Sequence, residues 1–413
     1  MVALEEISRI GFGGYRIGNG DPSHANALRK AIAAGCNVVD TASTYTSGAS
    51  ETLIGNVLRE GCSSRAFVIT KAGYASGIAL QSLLELQGRG LATDSFVRPA
   101  EDFCYSLSPD FLLCQIEISR RRLGVKCLDA FLVHNPEHLL ALYKCENEFY
   151  AALGKVFGFL EELVDEGLIR HYGVSSNRFA VTGESFAVDL RSMLEAAASS
   201  GCQRMHMLQL PFNLLEQNAI CKNLQGQSVV SLARGAQLKI FSNRPFNAMS
   251  RNGFLRLAAF DGDDASPEQV ARCSAVIQEC LFSHDANGDN FLANMPGLAY
   301  ALERWETVDN SDAVKTLFEH HVLPEVRSAF KHGPPEVAVR AIADLYRLCD
   351  RRCRINMAAN ARAALEGTYD ELLNHPDGLQ AAACAWYFKC GIDCVLVGMR
   401  REEYVRDMMR LLR

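Results

Sequence analysis

The stretch CNVVDTASTYTSGASETLIGNVLREG, Cys36 to Gly61, reads as a strand, a polar loop and a helix in a single run. Its first part, CNVVDT, is a short apolar segment that ends on one carboxylate, Asp40. Its last part, SETLIGNVLREG, spaces apolar residues at three- and four-residue intervals and stops at a glycine, the pattern of an amphipathic helix with a C-terminal stop. Between them a small polar loop carries Tyr45, five positions beyond Asp40. The same alternation recurs along the chain. Strand candidates are SRIGFGG, CNVVDT, AFVIT, LDAFLVH, IRHYGVSS, MHMLQL, LKIFSN and DCVLVG. Helical stretches such as HANALRKAIAAG, PDFLLCQIEISRRRLG and VFGFLEELVDEG lie between them, several ending in Gly. Eight such units predict an α/β fold, a (β/α)8 TIM barrel, rather than an open doubly wound sheet. No hairpin signal of the Asn-Gly type joins the strands, which favours parallel crossovers.

Two stretches exceed what a bare barrel needs. Residues from about Ala72 to Ser108 form a longer loop after strand 3. A large helical insertion after strand 7 covers about residues 256–376, with helix-like runs PEQVARCSAVIQECLF, PEVAVRAIADLYRLCDRRC and NMAANARAALEGTYDELL. A structureless loop of that length is improbable inside a compact domain, so a helical subdomain is expected. Residues 1–413 then form one domain, with the barrel proper at about 8–255 and 377–413. Both excursions leave the C-terminal ends of strands, where barrel enzymes build their sites, so either could cover substrate or serve as an outer contact surface.

Composition narrows the class. The formal charge is 42 − 48 = −6, and the Lys and Arg residues are scattered rather than striped, so there is no electrostatic reason to expect nucleic acid or an anionic membrane. The start, MVALEEISRIGFGG, has no charged region followed by an apolar core, and no apolar run approaches a membrane span. The expectation is a soluble, cytoplasmic protein. Fifteen cysteines are spread through apolar contexts such as AAGCNVVD and AAACAWYF, where Cys acts as a small core residue. The pairs Cys349/Cys353 and Cys390/Cys394 lack the tighter spacing and the His pair of a structural zinc site, so no metal is expected. DANGDN, Asp285 to Asn290, looks like a calcium loop, but its Gly is fourth rather than sixth and Pro296 stands where a bidentate Glu is needed; a turn is expected there. GFGGYRIGNG is glycine-rich but does not spell GxGxxG.

The informative feature is that three apolar strands each end in a lone ionisable residue: Asp40, Lys71 and His134. A parallel barrel brings such ends to one rim, with Tyr45 on the loop above it. A tyrosine beside an ammonium has its phenolate favoured, so its pKa is expected to fall and the group to serve as a proton donor. Asp40 would hold Lys71 charged and in place, and His134 would orient a substrate oxygen or share in the proton transfer. An acid that protonates a carbonyl oxygen while its carbon receives hydride is what a nicotinamide-dependent carbonyl reductase requires.

The ordered set GFGGYRIG, NVVDTASTYTSGASETLIG, VITKAG, LGVKCLDAFLVHNP, LIRHYGVSSN, LQLPFN and VLVGMRREEYV resembles the aldo-keto reductase superfamily. The resemblance covers about Arg9 to Phe246 and Leu379 to Met409. It implies a barrel oxidoreductase that binds NADP(H) without a Rossmann domain, with a catalytic tetrad at Asp40, Tyr45, Lys71 and His134. It also implies that Gln209 and either Ser176 or Asn177 hold the nicotinamide carboxamide. Arg244, Pro245 and Phe246 match the loop that covers the pyrophosphate, and Gly398 to Arg401 match the loop that meets the adenosine 2′-phosphate. The guanidinium of Arg400 or Arg401 suits a phosphate dianion, which favours NADP over NAD. Departures from the family pattern are GVSSN for GVSN, Asn243 where many members have an aromatic, Met408 where many have Asn, and a longer interval between Lys71 and His134. The pocket walls are expected from the two insertions, Tyr15, Asn135 and their neighbours. The function implied is an NADP(H)-dependent oxidoreductase acting on an aldehyde, ketone or sugar. The alternative is an NADP-binding regulatory or interaction protein with little turnover, whose helical insertion is a partner surface.

Overall fold

The computed structural model describes residues 2–62, 66–179, 187–223, 226–250, 253–260, 263–282, 294–330 and 333–412. Eight strands form a closed parallel barrel: β1 (Ile10–Gly13), β2 (Val38–Asp40), β3 (Phe67–Ala72), β4 (Leu128–His134), β5 (Ile169–Ser175), β6 (Met205–Pro211), β7 (Lys239–Asn243) and β8 (Cys394–Val397). These are the eight apolar runs identified above. Each strand pairs with the next, and β8 closes the barrel against both β7 and β1. Helices flank the strands outside: Pro22–Ala33, Ala49–Val57, Pro109–Leu123, Glu146–Asp165, Leu190–Ser199, Val229–Gly235, Leu379–Lys389 and Glu402–Met409. Strands covered by helices outside and filled inside are buried on both faces, which is why the runs are almost wholly apolar rather than alternating.

The barrel interior sets the register of the site. One buried cluster gathers Val38, Phe67, Ile69, Ala130, Leu132, Met207, Phe241, Cys394 and Leu396, with Leu4 from the N-terminal turn packed against it. Side chains on a strand share a face every second residue. Two positions beyond Val38, Ile69, Leu132, Met207 and Phe241, the same inward faces carry Asp40, Lys71, His134, Gln209 and Asn243. The core therefore becomes polar one layer higher, at the C-terminal ends of the strands. On β1 the interior is narrowed by Gly11, where a Cβ would lie 2.7 Å from the Leu396 side chain and 3.1 Å from those of Cys394 and Val38.

The segment after β3 has structure of its own. Tyr74–Ala75, Phe103–Ser106 and Phe96–Ala100 make a three-stranded antiparallel sheet, and Ile78–Gly88 is a helix. Ala75, Ala79, Leu83 and Cys104 pack together with Phe111 of the barrel helix Pro109–Leu123, so apolar burial fixes the insertion to the barrel wall.

The chain divides into two compact units: Met1–Ala248 with Ala381–Arg413, and Met249–Gln380. The second is helical and has its own apolar core, built from Val270 and Ile277 of helix Pro267–Phe282, Leu298 of Pro296–Arg304, and Ile342, Leu345, Cys349 and Cys353 of Glu336–Leu365. The two helical runs expected over residues 335–373 form one 30-residue helix followed by a short one, Asp370–Leu373. Cys349 and Cys353 are free and lie one turn apart, and burial pushes their thiols up to about 12 and about 11. Cys390 and Cys394 are also free, Cys394 inside the barrel. The turn expected at Asp285–Asn290 lies outside the described residues. Among the described residues no helix is long and apolar enough to cross a membrane.

Two glycines give opposite expectations for the same substitution. At Gly55 a Cβ would sit 2.1 Å from the Arg122 carbonyl oxygen and 2.8 Å from Leu123 Cα, so the helix Ala49–Val57 rides directly on the end of Pro109–Leu123. At Gly158, inside helix Glu146–Asp165, nothing lies within 4 Å. Gly55→Ala is expected to destabilise the chain by roughly 2 kcal/mol or more, as for other forced overpacking. Gly158→Ala is expected to stabilise by about 0.5–1 kcal/mol through helix propensity. Denaturant unfolding of both variants checks the pair, and equal effects would overturn this account of the helix contact.

Candidate active site

At the C-terminal rim of the barrel the ends of β2 and β3 lie side by side, with Asp40 opposite Ile69 in register. Lys71 is fully buried. Its ammonium lies 2.7 Å from Asp40 Oδ1 and 2.9 Å from Oδ2, donates to the Thr41 carbonyl at 2.7 Å, and reaches the Tyr45 hydroxyl at 3.3 Å. Burial alone lowers the Lys71 pKa, and the Asp40 carboxylate opposes that shift. A buried ion is tolerated only when its partners replace lost water, and this one has several.

Tyr45 opens a turn whose next three residues have left-handed backbones: Thr46 at φ 47°, Ser47 at 55° and Gly48 at 87°. The turn delivers the chain into the helix Ala49–Val57. Glu51, in that helix's first turn, is fully buried; it accepts from Thr70 Oγ1 at 2.6 Å and from Arg122 Nη1 at 3.0 Å. Arg122 also donates to the Ser43 carbonyl at 3.0 Å, so this pair ties the loop carrying Tyr45 to the neighbouring helix. Part of the Tyr45 surface remains at the rim, yet its hydroxyl is enclosed. Burial pushes its pKa well above the ordinary tyrosine value, and the Asp40 charge adds to that. This corrects the expected fall: desolvation outweighs the ammonium, so Tyr45 holds its proton more firmly than in water.

His134 ends β4 with its ring 6.1 Å from that of Tyr45, nearly perpendicular to it. Burial, then Lys71 and His138, hold its pKa well below the usual value, so the ring is neutral near pH 7. The inserted sheet supplies Tyr74, whose ring meets His134 edge-on at 4.9 Å, and Tyr15 meets Tyr45 edge-on at 5.0 Å. Asn135 is buried. Its left-handed backbone (φ 58°) turns its side chain between Tyr74 and the Asn177 N–H.

The candidate cofactor residues lie around the same rim. Gln209 donates to Asp40 Oδ1 at 2.8 Å and accepts from Ser175 Oγ at 2.9 Å, so it links β2, β5 and β6. Ser176 donates to Glu137 Oε2 at 2.8 Å, and the Asn177 side chain is exposed. Arg244 is left-handed (φ 52°) just beyond β7 and pairs with Glu216 at 2.7 Å. Pro245 and Phe246 are buried, and the Pro245 carbonyl accepts from Tyr387 Oη at 2.8 Å. Gly398 and Arg400 follow β8, and Arg401 stands at the N-cap position of the helix Glu402–Met409, its guanidinium 3.7 Å from the Glu403 carboxylate. The buried atoms His134 Nδ1, Asn243 Oδ1 and Arg244 Nε have no partner among the described residues. A rim with unmet donors and acceptors, flanked by arginines, fits a ligand bearing amide and phosphate groups.

Sequence reasoning missed Tyr74, Glu137, His138, Glu51 and Arg122. Glu137 and His138 stand three and four residues after His134 in HNPEH, and Tyr74 three after Lys71, but spacing alone does not show that their side chains turn back to the rim.

A family model described as "Aldo/keto reductase family" matches residues 9–235, more than half of the 413-residue chain. The "NADH-specific methylglyoxal reductase" of Escherichia coli (strain K12) is 26% identical over 179 residues, 41% of this chain and 48% of that protein. "Aldo-keto reductase YhdN" of Bacillus subtilis (strain 168) is 24% identical over 218 residues, 51% of this chain and 52% of that protein. The match thus spans about half the length of these curated relatives. A glycerol dehydrogenase structure, AKR11B4 from Gluconobacter oxydans, is 18% identical with a TM-score of 0.48, covering 98% of this chain and 86% of that one. With that family model matched over the region that carries β1 to β6 and, at their ends, Asp40, Lys71 and His134, the chain belongs to the aldo/keto reductase family.

Proposed function

We propose that the chain is an oxidoreductase acting between a nicotinamide dinucleotide and the carbonyl or alcohol group of a small aldehyde, ketone or sugar, with Tyr45 as the proton donor. The observation that carries this reading is the Lys71 ammonium, held by Asp40 and placed 3.3 Å from the Tyr45 hydroxyl. The bound nicotinamide would supply the hydride that the carbonyl carbon receives. Tyr45 hands its proton to the carbonyl oxygen, and Lys71 stabilises the phenolate left behind. Asp40 keeps Lys71 from turning away. Neutral His134 offers a ring nitrogen to orient the oxygen.

Burial keeps Tyr45 protonated at rest, the form that can donate to a carbonyl oxygen. Gln209 with Ser176 or Asn177 is assigned to the carboxamide. Arg244, Pro245 and Phe246 are assigned to the pyrophosphate, and Gly398, Arg400 and Arg401 to a 2′-phosphate, which makes NADP(H) the preferred cofactor.

Tyr45→Phe removes the proton and keeps the ring. Its kcat for carbonyl reduction is expected to fall about 10²-fold or more, with cofactor affinity unchanged. Turnover equal to wild type across a panel of aldehydes, quinones and aldoses would sink the acid role. Tight NADPH binding with no turnover by wild type would favour a binding protein instead.

With saturating cofactor, kcat for reduction is expected to stay flat from pH 7.5 to 9. Tyr45 is protonated throughout, because its pKa is shifted well above 10. Stopped-flow or steady-state rates across that range test this, and a loss of rate centred below pH 9 would contradict the direction given for Tyr45.

Arg400→Ala is expected to raise the KM for NADPH about tenfold, equivalent to about 1.4 kcal/mol, and to leave that for NADH unchanged. No preference between the two cofactors in either protein would remove the 2′-phosphate assignment.

A further inference from the structure

Glu137 belongs to no step of that mechanism, yet it is 93% buried beside the residues assigned to the carboxamide; its exposure is 7%. It sits in the short helical turn Pro136–Leu142 that follows β4. Its Oε2 accepts the Ser176 hydroxyl at 2.8 Å, and its Oε1 accepts the Asn177 N–H at 3.3 Å. Ser176 Oγ accepts the Arg178 N–H at 3.0 Å in turn. Asn135 Oδ1 accepts the same Asn177 N–H at 3.1 Å, and Asn135 Nδ2 donates to Tyr74 Oη at 2.6 Å. The Tyr74 hydroxyl hydrogen is then left for His138 Nε2, 2.9 Å away. The Ser176 N–H is anchored on the barrel, donating to the Gln209 carbonyl at 3.0 Å; beyond it, the Ser176 hydroxyl and the Asn177 N–H are held by the Glu137 carboxylate and by an amide that the inserted sheet fixes.

We propose that Glu137 is a positioning residue whose ionised carboxylate clamps the Ser176–Asn177 turn in the shape that receives the nicotinamide carboxamide, so that taking up a proton loosens the seat. The inference rests on the cofactor reading given above. An ionised carboxylate is an acceptor only, and it satisfies both donors at once. A protonated one carries a hydrogen on one oxygen, which must then face Ser176 or Asn177, and its remaining bond is no longer charge-assisted. Burial raises Glu137 from 4.5 to about 7, against the hydrogen bonds from Ser176 and Asn177 and the charge of Arg178. The other ionisable groups facing it are Tyr74 and Tyr105 of the inserted sheet and His138 of its own turn. Burial pushes both tyrosines up, so they stay neutral across the neutral range, and it pushes His138 down, away from that range.

Stability runs the opposite way. The folded chain holds this proton more tightly than the unfolded chain, so Glu137 contributes stability below about pH 4.5 that is lost as pH rises through about 7. The site thus works best in the state that the fold holds less firmly.

The test is fluorescence titration of NADPH and of NADH against the full chain from pH 6 to 8.5. NADH has no 2′-phosphate, so a titration of that phosphate would appear with NADPH alone. Wild type is expected to bind both about five- to tenfold more weakly at pH 6 than at pH 8. Glu137→Gln keeps one acceptor and puts a donor against the second, so it is expected to bind weakly at every pH with a flat profile. Glu137→Asp keeps the charge and is expected to keep a pH-dependent profile, which separates the clamp from a folding defect in the Gln variant. Equal pH profiles for wild type and Glu137→Gln would overturn this role while leaving the cofactor reading intact. Wild type that binds neither cofactor at any pH overturns both.

Discussion

The buried contact between Asp40 and Lys71 is the constraint on which the rest of the rim depends. An ammonium with no exposed surface must find several acceptors, and Lys71 finds them in one carboxylate, one carbonyl and one phenol. Each acceptor belongs to the segment that leaves β2, so satisfying the charge fixes that segment. Gln209 then uses the remaining capacity of Asp40 and carries the same order across to Ser175 on β5. Charge compensation between two strands becomes alignment among four.

A barrel can support such a group because its interior is layered. The apolar layer of Val38, Ile69, Leu132, Met207 and Phe241 fills the lumen, and the pleat lifts the next inward residue of each strand above it. The polar layer thus rests on a packed floor instead of on water. The two largest departures from a plain barrel differ in kind. The sheet after β3 packs on a barrel helix and brings Tyr74 to His134. The unit after β7 has an apolar core of its own and is long enough to be a folding unit in its own right.

Much of this was legible in the sequence, for reasons that can be named. The strands were readable because burial on both faces leaves nearly unbroken apolar runs, and their ends because a lone ionisable residue after such a run has few structural uses. LDAFLVH and VITK show both features. PEVAVRAIADLYRLCDRRC and NMAANARAALEGTYDELL look like two helical runs, yet most of both lies in the single helix Glu336–Leu365, because nothing between Cys353 and Asn356 breaks a helix. The direction of the Tyr45 shift was misread for a deeper reason. Neighbouring charge can be inferred from spacing, whereas desolvation depends on everything that encloses the hydroxyl. Glu137 was missed for the same cause: PEH after His134 looks like an ordinary turn until the chain folds back on Ser176.

The position of β8 has a consequence for how the chain is made. Strands β1 to β7 are complete by Asn243, but the strand that joins β7 to β1 begins only at Cys394, after the whole helical unit has been synthesised. Until then the growing sheet has two open edges, β1 and β7, with unpaired backbone groups of the kind that pair with other chains. The helical unit, with its local contacts and separate core, can order during that interval, and the barrel cannot. Closure of the barrel therefore waits on β8, which must pair with β1 and β7 at once.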